Sequence, residues 1–318
     1  MFIRFASAAS ALTLAAVAMP AFASDAGAAE AAIDTTQDEE IVVVDTAADD
    51  TAVAVRAIAP IDLATATGQE ETPAITVSGS ATLASDYRFR GVSQTDEGMA
   101  IQGGFTVSHS SGFYVGTWGS NLAGWGTFGG SNMELDIFAG YAMPVGEGTL
   151  DVGVTWFMYP SGADTTDFAE LYAKLSGDVG PVSLTATVAY APQQEALGNA
   201  FPVGAAPDPG DKEDNLYLAG DLVYGIADTP ISLKAHLGYS DGNPGLGPNG
   251  TSIAPTGTYF DWLIGADVSP IEGLTLSVAY VDTSITEAEA NRIRPNFATL
   301  AGDSISDATV VFSVTASF

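Results

Sequence analysis

The chain has 318 residues and a formal net charge of −30, with 39 Asp and Glu against nine Lys and Arg. That balance excludes nucleic-acid binding, because phosphate contacts need clustered Lys and Arg. With no cysteine, disulfides and thiolate metal sites are excluded as well.

The first residues have the form of a secretory signal. Arg4 supplies the positive start, Phe5 to Ala18 the short apolar run, and Ala21-Phe22-Ala23 an A-x-A cleavage site. The expected boundaries are 1–23 for the signal and Ser24 for the mature start. No later segment has some 18 consecutive apolar residues, so no transmembrane helix is expected. Yet 47% of the chain is hydrophobic and only 15% is charged, against about 25% charged in soluble domains.

Residues 24–73 read as a disordered acidic periplasmic segment. They hold twelve carboxylates against Arg56 alone and contain no aromatic residue. One island inside it, Glu39-Glu40-Ile41-Val42-Val43-Val44-Asp45-Thr46, resembles the strand-adding box of TonB-dependent receptors. The chain has no room for the plug domain and large barrel of those receptors, so the island reads as an incidental Val-rich patch.

From residue 74 the pattern becomes one of alternation. Twelve strands are expected, at 75–89, 99–109, 113–121, 132–142, 149–159, 167–176, 181–191, 214–224, 231–240, 258–268, 274–283 and 307–318. Most have the ~9–11 residues that cross a bilayer at a tilt. In the first, Ile75, Val77, Ala81, Leu83, Tyr87 and Phe89 share one face; in the fifth, Leu150, Val152, Val154, Trp156 and Met158 do. The last strand puts Ala308, Val310, Phe312, Val314, Ala316 and Phe318 on one face and stops on the aromatic. The connections alternate too. Short Gly- or Pro-rich turns follow every second strand, and longer, mostly acidic or Gly/Pro-rich loops follow the others. This is the order of an outer-membrane β-barrel, with short periplasmic turns and long extracellular loops. The fold expected over 74–318 is therefore an all-β, transmembrane antiparallel β-barrel of about twelve strands. Whether a long loop folds into the lumen stays open. Aromatics near strand ends suggest interfacial girdles: Tyr87, Phe89, Tyr159, Tyr190, Tyr239, Tyr259 and Tyr280 on the loop side, and Tyr141, Tyr224 and Phe318 on the turn side.

A charge cannot face lipid cheaply, so the charged residues of these strands must point inward. The expected pore-lining set is Asp86, Arg88 and Arg90 on the first strand, Glu134 and Asp136 on the fourth, Asp151 on the fifth, and Glu170 and Lys174 on the sixth. Asp221 follows on the eighth, Lys234 and His236 on the ninth, and Asp261 and Asp267 on the tenth. Eight carboxylates against four fixed cations predict a cation-preferring lumen. The alternative is a lumen plugged by salt bridges, in a non-conducting structural or adhesion barrel that displays acidic loops.

Other motifs carry less. His109, Ser111 and Asn121 are similar to the catalytic set of the outer-membrane phospholipase, but Ser111 falls in a short turn and Asn121 opens a different connection, so no enzyme is expected. Gly124-Trp125-Gly126-Thr127-Phe128-Gly129 matches G-x-G-x-x-G with no helix after it, and reads as a flexible loop. Asp208, Asp211, Glu213 and Asp214 lack EF-hand spacing and read as a solvated acidic loop. Two histidines cannot build a multi-histidine metal site. No cofactor or metal is expected.

Ala84-Ser85-Asp86-Tyr87-Arg88-Phe89-Arg90-Gly91-Val92-Ser93-Gln94-Thr95, then Gln102 to Phe105 and Ser108 to Asn121, resemble the TorF family of porin-like outer-membrane proteins. Glu134-Leu135-Asp136, Ala139-Gly140-Tyr141 and the run from Asp151 to Pro160 fit as well. The resemblance is specific over about 84–160 and looser beyond. It implies an outer-membrane location and a porin-like role, and brings no substrate and no catalytic residue. The partners expected are outer-membrane lipid and lipopolysaccharide, small solutes, and the outer-membrane assembly machinery, which would read Phe318 as its signal.

Overall fold

The structure is a computed structural model that describes residues 74–318 apart from 243 and 295. The expected signal (1–23) and acidic segment (24–73), including the island at 39–46, lie outside the described residues.

Twelve strands close into one antiparallel barrel. They are β1 (Ile75–Ala84), β2 (Ala100–His109), β3 (Phe113–Asn121), β4 (Met133–Val145), β5 (Gly148–Met158) and β6 (Phe168–Val179). They continue with β7 (Val182–Gln194), β8 (Glu213–Gly225), β9 (Ile231–Asp241), β10 (Tyr259–Ile271), β11 (Leu274–Thr283) and β12 (Thr309–Ser317). Each strand pairs with its neighbours in sequence, and β1 closes the ring against β12 from Ser80↔Ser317 to Ala84↔Ser313. One step past that ladder, Phe318 and Gly79 exchange two backbone hydrogen bonds of 3.0 Å. Closure leaves no sheet edge, the condition for strands to span lipid.

The period of two sorts the side chains as the sequence suggests. Phe105, Ile264 and Phe312 are at least half exposed on the outside, and Val115, Ile137, Trp156, Leu237 and Val314 share that surface. An apolar belt of this extent is a lipid-facing surface. The inner face carries Ser, Thr and charged residues. Several inward aromatics lie across glycines of the adjacent strand: Tyr114 over Gly140, Tyr172 over Gly153 and Phe138 over Gly116 are register partners. A Cβ at Gly153 would stand 2.5 Å from the Tyr172 Cζ, so glycine is required there for the ring to lie flat.

Five connections are short: 110–112, 146–147, 180–181, 226–230 and 272–273. The other six are long and lie at the opposite end of the barrel. Here the structure answers what the sequence left open, whether a long loop enters the lumen. Leu122, Trp125, Phe128, Ile253, Ile285, Ile293, Phe297 and Ile305 all sit in long connections, and all are buried in one apolar cluster with wall residues Trp118, Phe138, Phe157 and Phe168. Such side chains cannot be left in water cheaply, so the loops turn inward and fill the mouth. The G-x-G-x-x-G segment is part of this cluster. It forms two 3-10 turns that bury Trp125 and Phe128.

The first expected strand is also corrected. It ends at Ala84, not at Phe89. Residues 88–93 form a separate two-stranded hairpin, Arg88↔Ser93 and Phe89↔Val92. Its two central residues, Arg90 and Gly91, have φ of +47° and +80°, as the tightest hairpin turns demand. Tyr87, Tyr159 and Tyr259 are therefore not girdle residues. They are 2–5% exposed and lie inside, with Phe89 packed against the same cluster. Tyr190 and Tyr280 do stand exposed on the outer face.

Candidate functional site

The hairpin after β1 crosses the lumen. Its tip reaches β6 and β8, which lie on the far side of a twelve-strand ring from β1. The Arg90 guanidinium is fully buried there. It donates to Glu170 Oε2 at 2.7 Å and to Asn215 Oδ1 at 2.9 Å, and lies 4.0 Å over the Tyr217 ring. The Arg90 carbonyl accepts from Tyr259 Oη at 3.1 Å. Gly91, beside it, presses on β10 and β11: a Cβ at that position would meet the Thr283 methyl and the Asp261 Cβ.

Arg88 ties the base of the hairpin together. Its Nε donates to Asp86 Oδ2 at 2.5 Å, its Nη2 to Glu97 Oε1 at 2.8 Å and its Nη1 to the Ile305 carbonyl at 2.8 Å. Asp86 in turn accepts from Ser93 Oγ at 2.6 Å and Thr95 Oγ1 at 3.0 Å. Tyr87 Oη donates to Glu134 Oε1 at 3.0 Å on the wall. Buried charges are tolerable only when paired and hydrogen-bonded in this way. Asp86, Arg88 and Arg90 thus lie inside the barrel at the base and tip of the hairpin, and not on the wall strand expected for them.

The remaining expected residues are wall residues that face inward. Glu134, Asp136, Glu170 and Asp261 lie in the long-loop half and are 0–4% exposed. Asp151, Lys174, Asp221, Lys234, His236 and Asp267 lie in the middle and the short-turn half. Lys234 Nζ is 2.8 Å from Asp267 Oδ1 and donates to Ser277 Oγ at 2.8 Å. His236 bridges two strands: Nδ1 is 2.6 Å from Asp221 Oδ1, and Nε2 is 3.1 Å from Asp261 Oδ1. Asp151 accepts from Tyr114 Oη at 2.6 Å and is the register partner of Lys174, whose Nζ is 5.1 Å from the Tyr172 ring.

Around these charges the short-turn half is lined by hydroxyls that remain half-buried. Ser80, Ser183, Thr185, Ser232, Thr275, Ser277 and Ser317 all point inward there. Charge is divided unequally between the halves. The expected set leaves five carboxylates against Arg88 and Arg90 in the plugged half, and three against Lys174 and Lys234 in the other.

His109 Nδ1 does reach Ser111 Oγ, at 2.7 Å, but both are exposed at a short turn. Asn121 is at the other end of β3 and its Oδ1 accepts from the Ile101 amide. It cannot orient His109, so these residues form no triad. Asp211 accepts from the Asn199 amide at 3.0 Å and Asp214 from Tyr190 Oη at 2.7 Å. Among the described residues no group of His, Asp and Glu is placed to hold a metal ion.

The hairpin and the apolar loop cluster are the features that sequence reasoning missed. Arg90-Gly91 between Phe89 and Val92 is a turn signal. The continuing alternation from Ser85 to Phe89 masked it.

A family model described as "Bacterial protein of unknown function (Gcw_chp)" matches residues 68–318. No curated protein sequence matches the chain. Among solved structures, the NanC porin is similar at 10% identity and a TM-score of 0.48, over 76% of this chain and 99% of that one. The KdgM porin gives 9% and 0.45, over 76% and 98%. An outer membrane channel from Pseudomonas putida F1 gives 11% and 0.43, over 82% and 98%.

Proposed function

Because the chain belongs to the bacterial Gcw_chp family, whose function is unknown, we propose a role from its own geometry: an outer-membrane, porin-like channel for small polar solutes or ions, closed at its outer mouth by its own loops. The observation that carries this is the contrast across one wall. A closed barrel with a lipid-type exterior has a hydroxyl- and charge-lined interior, and among the described residues the connections that fold into that interior all enter from one end. A barrel built to be solid would fill both halves with packed side chains.

Long loops face the exterior in this reading, and the short turns and Phe318 face the periplasm, as the even strand number requires. Export by the signal at 1–23, contact with lipid and lipopolysaccharide, and assembly through Phe318 belong to the same proposal. The resemblance of residues 84–160 to the TorF family agrees with it. Cation preference is also proposed, with a refinement. Three carboxylates against two lysines in the unplugged half give a modest preference, and moving the hairpin would expose the larger excess around Glu134, Asp136 and Glu170.

The second reading, a non-conducting structural barrel, is favoured by one observation, the burial of Arg90 and its partners across the lumen. Planar-bilayer recording of the mature chain and of Arg90→Ala under a potassium chloride gradient separates the two. The channel reading expects openings that are rare in the wild type and frequent in the variant, with a reversal potential on the cation side. Silence from both proteins would leave the structural barrel, and an anion-side reversal would refute the selectivity.

A further inference from the structure

The long loops shape a second feature, separate from the lumen. It is a half-open cavity of about 930 Å³ on the outer side of the plug. Four different connections wall it. Trp125 and Phe128 come from the loop after β3, Phe201 from the loop after β7, Leu246 from the loop after β9, and Arg294 and Leu300 from the loop after β11. The walls are held by hydrogen bonds, two sets between backbone groups and one to a carboxylate behind the lining. Phe201 and Leu246 are partners in a short ladder, the Gly129 amide donates to the Asn249 carbonyl at 3.0 Å, and the Leu300 amide donates to Asp96 Oδ1 at 2.9 Å. Trp125 is fixed from behind by Phe297, edge-on at 5.0 Å between ring centres.

Two properties of the lining point to a ligand. First, it contains Arg294 and no carboxylate, in a chain with 39 Asp and Glu against nine Lys and Arg. Second, Arg294 Nε is buried and has no hydrogen-bond partner among the described residues. A buried donor left unmade is costly, and one on a cation more so. Arg88 and Arg90 in the same molecule are fully engaged with carboxylates and carbonyls. Ligand pockets commonly have volumes of about 300–1,000 Å³, apolar walls and few polar groups.

We infer that this cavity is a binding site for a small amphipathic organic acid, with its carboxylate on Arg294 and its apolar body against Trp125, Phe128 and Phe201. The apolar body supplies most of the burial and the arginine supplies the sign. The acidic surroundings repel anions at long range, where salt screens them, whereas a desolvated contact with the guanidinium acts at close quarters. An uncharged analogue of the same shape would fill the cavity and leave Nε unmet.

The test is calorimetric titration of the mature chain in lipid nanodiscs with 4-phenylbutyrate and, separately, with 4-phenylbutanamide. The acid should bind at least about tenfold more tightly than the amide, the scale of one charge-assisted hydrogen bond. Arg294→Gln should bring the acid down to the amide's affinity. Leu300→Asp places a carboxylate on the rim, at a residue 90% exposed that the fold does not need, and should weaken the acid and spare the amide. Equal affinity for acid and amide, an unchanged acid affinity in Arg294→Gln, or no heat with the acid at millimolar concentration would each overturn the inference. No ion flux is involved, so the result is independent of the conduction test.

Discussion

The two halves of the barrel interior share one wall and differ in everything placed inside it. At the long-loop end the space is filled by an apolar cluster and a buried hairpin whose arginines are saturated with partners. At the short-turn end no strand connection enters, and the inward face is serine, threonine, the hydrogen-bonded Tyr114 and Tyr172, and three carboxylates against two lysines. The lesson is that the loops make the difference between the halves, packing onto a few wall aromatics at one end only. In the filled half inward wall positions carry Gln102, Glu134, Asp136 and Glu170 beside Trp118, Phe138, Phe157 and Phe168, the wall aromatics on which the loop cluster packs. Stability of the plug and stability of the barrel should then be separable.

The largest effect that would sharpen this contrast is expected from Arg90→Ala. It leaves Glu170 as a buried charge without its cation, a loss of about 3–5 kcal/mol. Hydrogen exchange at the Ser93 and Gln94 amides should accelerate about a hundredfold or more, while the heat-modifiable migration of the folded barrel stays as in the wild type. Equal loss of protection in β1 and β12 would show that plug and wall are one unit.

A smaller effect is expected from Phe297→Ala. Phe297 is fully buried and meets Trp125 edge-on. Truncation should cost about 3 kcal/mol, at the low end for a phenylalanine because loops can relax into the space. Proteolysis of the loop after β11 should become easier at a temperature where the barrel still resists. Smallest of all should be Thr185→Ala, on the inward face of β7 in the other half. Removing a half-buried hydroxyl that packs against no loop should change the free energy of unfolding by no more than about 0.5 kcal/mol. A large loss there would mean that the short-turn half is packed as tightly as the plug.

The barrel was legible in the sequence because period two and loop length report independently on the same geometry. Val152, Val154 and Trp156 against Asp151 and Thr155 fix a face, and the alternation of short and long connections fixes strand direction. Inward placement of the charges was legible for the same reason, since lipid excludes them. The plug was harder to read. Ser85 to Phe89 keeps the alternation of a strand, and period two is as well satisfied by a hairpin inside a lumen as by a strand in its wall. The apolar residues Ile253, Ile285, Ile293, Phe297 and Ile305 stand singly among polar, charged and Pro neighbours, with no period to mark them. Only their three-dimensional convergence with Trp125 and Phe128 makes them a core. Pairings such as Arg90 with Glu170, eighty residues apart, follow from barrel closure, which fixes which strands face each other.

The division of the lumen is tested most directly by water itself. The chain contains no cysteine, so single cysteines can be placed at Thr185, in the short-turn half, and at Val92, which is 3% exposed in the plug. Each variant is reconstituted in lipid vesicles and treated with a charged, membrane-impermeant thiol reagent that has access to the short-turn side. The account predicts rapid modification at Thr185→Cys and protection at Val92→Cys, with protection lost when Arg90→Ala is added. Protection of both positions would mean a lumen packed from end to end, and modification of both in the otherwise wild-type chain would mean that the loops do not close it.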